Sequence, residues 1–84
     1  DIMFYVQIYS SASKVNLNDS KFRGLKGIQE KNWNKRYKYL SGEFENYESA
    51  KKHVEKLKRK GFKSPFVVAL KDQNPIPIQD ALKK

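Results

Sequence analysis

The chain has no cysteine. A disulfide-stapled scaffold and a thiolate zinc site are therefore both excluded. It has a single histidine, His53, which excludes the usual histidine-rich metal sites. No apolar run approaches the roughly 20 residues that a membrane-spanning helix needs, and no signal peptide is visible. A glycine-rich phosphate loop is missing as well. Glu43 and Glu45 are the one carboxylate pair worth weighing for acid–base hydrolysis. They fall where a strand gives way to a loop, with no buried setting to raise one pKa. These gaps point to a protein that is not an enzyme and that uses no metal and no cofactor.

What is present is charge of one sign. The 84 residues carry 18 Lys and Arg against 9 Asp and Glu, a net charge of +9. Residues 14–38 hold eight basic and two acidic side chains, and residues 43–63 hold seven and four. An excess of this size favours polyanionic partners or serves solubility. The length suits one compact domain with one modest core.

Strand one is expected over residues 3–9. Phe4, Val6 and Ile8 alternate with Tyr5, Gln7 and Tyr9, as in a half-buried strand. If the aliphatic set faces the core, two aromatic rings and an amide face outward. Such a surface suits a flat, polar polymer, either a glycan or a single-stranded nucleic acid. Further along, Asp19 can cap a short helix over 20–26 with Phe22 and Leu25 inward, although Gly24 and Gly27 punctuate it. Strands over 28–33 and 36–41 flank a hairpin turn at Asn34-Lys35. Gly42 is expected to permit a tight departure from the second of these.

A better-defined helix is predicted over 47–60. Asn46 is its N-cap, and Tyr47, Ala50, Val54 and Leu57 form one apolar stripe. Lys58, Arg59 and Lys60 suit the C-terminal dipole, and Gly61 followed by Phe62 reads as a Schellman cap. A short strand over 66–70, a turn at 72–75 and an apolar tail over 76–82 complete the chain. The order strand, helix, strand, strand, helix, strand predicts an α+β domain: four antiparallel strands with both helices on one face. The first and third strands are central. Tyr5, Gln7, Tyr9, Arg36, Lys38 and Leu40 then share the open face, with Phe66 at its border.

These residues resemble the SPOR domain of bacterial cell-envelope proteins. The resemblance rests on Phe4-Tyr-Val-Gln-Ile-Tyr-Ser10, on Tyr37-Lys-Tyr-Leu-Ser-Gly-Glu-Phe44, on Tyr47-Glu-Ser-Ala-Lys51 and on Leu57-Lys-Arg-Lys-Gly-Phe62. It implies a ferredoxin-like (RNP-like) βαββαβ fold in one domain over 1–84, with a core over 3–70 and an extension over 71–84. The Ile-Pro-Ile-x-x-Ala-Leu tail is similar to that of Bacteroidetes-type members. The resemblance further implies noncatalytic binding of peptidoglycan glycan strands denuded of stem peptides, in the service of cell division at the septum.

The family's binding positions carry over to Gln7, Ser10 and Lys38. Together with Tyr5, Tyr9, Arg36 and Phe66 they make the expected site, and Trp33 and Leu40 are secondary candidates. Tyr9 stands where the family usually has Gly, Glu43 where it has Pro, and Lys38 where it has Arg. Expected partners are glycan strands and, secondarily, division or envelope proteins. The expected location is the periplasm of a Gram-negative bacterium, with residue 1 inside a longer protein anchored by a membrane helix or lipid. The second reading is an RRM-like module for single-stranded RNA, although the usual aromatic RRM run is absent from strand three.

Overall fold

In a computed structural model, residues 1–82 are described. Five strands, β1 (Ile2–Ser11), β2 (Gln29–Trp33), β3 (Arg36–Phe44), β4 (Phe66–Lys71) and β5 (Asn74–Ile76), form one antiparallel sheet in the order β2-β3-β1-β4-β5. Helices α1 (Tyr47–Arg59) and α2 (Ile78–Leu82) pack on one face of it. β1 and β3 are central, as the sequence predicts.

Two expectations about the elements need correcting. The helix over 20–26 is a single 3-10 turn, Ser20–Phe22. Asp19 caps it by accepting from the Lys21 N–H, but Arg23 is left-handed and ends it at once, and Gly24 follows at φ +75°. The turn still buries Phe22, against Ile28 and Tyr39. The sheet also has a fifth strand, because the extension over 71–84 does not merely lie on the body. Asp72 and Gln73 both take positive φ in a two-residue turn, and the chain returns as β5 along the outer half of β4. α2 then inserts Ala81 into the main core. The last two residues of the expected extension, 83–84, lie outside the described residues.

The main core lies between sheet and helices. Phe4, Val6, Ala50, Val54, Leu57, Phe62, Ala69 and Ala81 form it. α1 follows its sequence signals closely. The Asn46 side chain accepts from the Ser49 N–H at 2.8 Å. At the other end the Phe62 N–H donates to the Leu57 carbonyl at 3.1 Å and the Gly61 N–H to the Lys58 carbonyl at 3.0 Å. That is the double bond of a Schellman cap, with Gly61 at φ +104°. His53, half-buried on the same helix, bonds Ser41 Oγ through Nε2 at 2.9 Å. Burial, and secondarily the nearby Lys56 charge, lower its pKa.

Two β-bulges shape β1 and β3. Between the pairs Phe4–Phe44 and Val6–Ser41, β3 has one extra residue, and Gly42 there takes φ +78°. Gly42 thus lies inside β3 rather than at its departure. Between Gln7–Leu40 and Tyr9–Tyr39 the extra residue is on β1. This second bulge decides the facing of the candidate site.

Candidate functional site

The face opposite α1 can be read from the pairing register, since directly opposed residues project to the same side. Gln29, Leu40, Gln7 and Phe66 lie in one row across β2, β3, β1 and β4. Lys31, Lys38 and Ser10 form the next row, and Trp33 with Arg36 the one beyond. Arg36 Nε donates to Ser10 Oγ at 3.0 Å, which holds the guanidinium against the end of β1. Arg36 and Phe66 are exposed, and Lys31 and Lys38 partly so. The face therefore offers two amides, a hydroxyl and three cations, with an aromatic ring at its margin.

The sheet is curled, so this face is not open throughout. Lys31 Nζ on β2 reaches Gln73 Oε1 in the β4–β5 turn at 2.9 Å. These two elements flank the sheet on opposite sides, so the bond spans the concave side. Beneath it Tyr5, Leu40 and Leu70 form a second buried cluster, with Met3, Val68 and Trp33 packed on it. Tyr5 is only 1% exposed. Its hydroxyl donates to Glu43 Oε2 at 3.0 Å, and burial first and Glu43 second push the phenol pKa up.

The expected site residues accordingly divide. Ser10, Arg36, Lys38 and Phe66 lie together on the face as anticipated. Gln7 joins them but is sunk to 9% exposure between Leu40 and Phe66. Tyr5 and Leu40 point to the right side but are covered, which corrects their expected exposure. Their apolar bulk finds a second core in the curl of the sheet rather than meeting solvent.

Tyr9 is on the other side altogether. Past Gln7 the bulge shifts the alternation by one residue, so Ser10 takes the outward place and Tyr9 turns toward the 3-10 turn. Its ring meets Phe22 edge-on at 6.0 Å and lies 6.2 Å from Tyr39. Lys21 Nζ sits over the Tyr9 ring and is 3.1 Å from its hydroxyl, a contact that raises the lysine pKa. Trp33 covers the second core, half-buried. Glu43 lies within β3 at the first bulge rather than in a loop beyond it, and it is engaged by Tyr5.

Lys31, Gln29 and Gln73 share in this side without having been anticipated. A signal for the first two existed. A two-residue turn at Asn34-Lys35 fixes Trp33 opposite Arg36, hence Lys31 opposite Lys38 and Gln29 opposite Leu40. Gln73 could not be found this way, because its position depends on the curl of the whole sheet.

A model of the SPOR domain matches residues 3–69. The chain belongs to the SPOR family. SPOR domains are peptidoglycan-binding modules of envelope-associated proteins linked to cell division. No curated protein and no solved structure matches the chain. Among the described residues, no helix is long and apolar enough to cross a membrane.

Proposed function

We propose that this SPOR domain binds glycan strands of peptidoglycan denuded of stem peptides, without catalysis, through the face bearing Gln7, Ser10, Arg36, Lys38 and Phe66. The observation that carries the reading is the cationic row Lys31–Lys38 beside the Arg36–Ser10 pair. An amidase that removes a stem hydrolyses its amide bond to the glycan and leaves a free carboxylate on the sugar's lactyl arm. Denuded strands thus present regularly spaced anions, and Arg36 offers a planar fork suited to them. The amide of Gln7 matches the N-acetyl groups in donor and acceptor, and Phe66 offers a ring to a sugar face. Lys38 supplies charge but not the bidentate geometry of the usual arginine.

The chain acts as one domain over 1–84 in the periplasm, toward the C-terminus of a membrane- or lipid-anchored protein that it brings to septal glycan. Affinity for short fragments is expected to be micromolar or weaker, no more favourable than about −8 kcal/mol, because a wet, shallow surface buries little. Pull-down with insoluble peptidoglycan, before and after amidase treatment, tests the reading. Binding should rise on treatment, and no binding to either material overturns it. The RNA reading loses its basis on β1: Tyr5 is covered and Tyr9 faces the helix side, so neither offers a ring for a base to stack on.

A further inference from the structure

The side of the molecule away from the glycan-facing sheet surface carries a second concentration of charge. On α1 the buried stripe is Ala50, Val54 and Leu57. Lys52, Lys56 and Arg59, spaced four and three residues apart, lie on the opposite, solvent side of the helix, and all are exposed. Lys60, the C-cap, follows one turn after Lys56 and adds a cation at the same end. Arg23 joins its end: its guanidinium carbon is 2.7 Å from where a Cβ on Gly61 would stand. Among the described residues none of these five makes a salt bridge; Glu48 and Glu55, four residues before Lys52 and Arg59, are exposed acids of the helix, and Glu55 is taken by Lys58 at 3.7 Å.

The helix dipole accounts for cations in the last turn but not for Lys52 in the second. Like charges at Lys52–Lys56 and Lys56–Lys60 oppose the helix, while Glu48 and Glu55 stand at the favourable spacing before Lys52 and Arg59. The repulsion between neighbouring cations of the row is what an anionic surface would relieve. Its shape also restricts the partner. The row is convex and no aromatic side chain belongs to it, so it lacks the stacking platform and groove by which single-stranded nucleic acid is held. A flat anionic surface needs neither.

We infer that the outer side of α1, through Lys52, Lys56, Arg59, Lys60 and Arg23, docks on an anionic phospholipid bilayer. The sheet face is left free on the far side, so one domain can lie between a membrane and a glycan layer and touch both. The contact is electrostatic and shallow, without insertion, because the exposed positions of the row are all polar.

Vesicle co-sedimentation tests this with the 84-residue chain. The probes are phosphatidylcholine vesicles with and without about 30% phosphatidylglycerol, at about 0.15 M and about 0.5 M salt. Binding is expected to the anionic vesicles alone, and to disappear at the higher salt. The triple variant Lys52→Gln/Lys56→Gln/Arg59→Gln keeps good helix formers and should lose ~10-fold or more of the vesicle binding. Its pull-down by amidase-treated peptidoglycan and its thermal unfolding should stay unchanged. Lys31→Gln/Lys38→Gln should do the reverse, weakening glycan capture and sparing vesicles. Failure of the wild-type chain to bind anionic vesicles overturns the inference, as does undiminished binding by the triple variant. Equal affinity for a random single-stranded RNA, lost in the same triple variant, would assign the row to nucleic acid instead.

Discussion

Gly42 and Gly61 both hold positive φ, at +78° and +104°, but their surroundings differ. At Gly61 the atoms nearest a new Cβ are those of the Arg23 guanidinium, the far end of a flexible side chain. Gly61→Ala should cost about 1 kcal/mol, the backbone penalty alone. At Gly42 a Cβ would stand 2.5 Å from Phe44 Cε2 and 3.1 Å from His53 Cδ2, inside packed rings. Gly42→Ala should cost about 2 kcal/mol or more. Urea unfolding of the two variants checks the order, and the reverse order would mean that the β3 bulge relaxes freely. His53 adds a pH dependence. Its folded pKa is depressed below the ordinary 6.5, so the native state binds the proton less well than the unfolded one. Stability should be full above about pH 6.5 and decline as pH falls through the folded pKa. Thermal melts of wild type and His53→Gln between about pH 7 and 5 should diverge, with the variant flatter over that interval.

β1 shows how a single strand can serve two cores and a surface. Val6→Ala opens the main core and should cost about 2 kcal/mol, with glycan capture per folded molecule unchanged. Gln7→Ala should weaken capture and shift stability by less than about 1 kcal/mol. Tyr9→Ala should destabilise by about 3 kcal/mol through lost contact with Phe22 and Tyr39. Tyr9→Phe should leave capture intact; if it abolishes capture, the turn of Tyr9 away from the face is wrong. The sequence was informative wherever the deciding contacts are local. Asn46, Gly61 and Phe62 announce both ends of α1 within a few residues, and Asn34-Lys35 announces its hairpin. The alternation of β1 is legible through Ile8, which packs on the core side as expected, and fails at Tyr9, because a bulge is a mismatch between two strands some thirty residues apart. The 3-10 turn misled for a related reason: Phe22 is buried as in a helix, but Arg23 and Gly24 stop the helix after one turn. Burial of Tyr5 was illegible, since it follows from curling that brings Lys31 to Gln73.

At the scale of the whole molecule, the +9 charge is shared between two sides with different geometry. On the proposed glycan side, Lys31, Lys38 and Arg36 sit beside amides, so recognition there would combine charge with neutral contacts. Capture of denuded peptidoglycan should fall as salt rises from about 0.05 to 0.2 M but persist in part. A wholly salt-insensitive capture would mean that the cations play no part and that neutral sugar contacts suffice. Removal of the Lys31–Gln73 bond by Gln73→Ala should cost under about 1 kcal/mol, because the curl is built mainly by the bulges and by the apolar cluster under it.

The pairing of Ile2 with Lys71 sets the tempo of folding. β1 precedes β4 in the chain, with Gln7 paired to the distant Phe66, and the Asp72 N–H closes on the Asp1 carbonyl. Until β4 is available, the central strand waits with the backbone groups of one edge unpaired. Such long-range closure is slow and leaves time for edge-to-edge association. A circular permutant that joins the two ends and opens at Asn34-Lys35 would turn the β1–β4 pairing into a nearby event. It should refold faster than the natural order in stopped-flow experiments, at similar equilibrium stability.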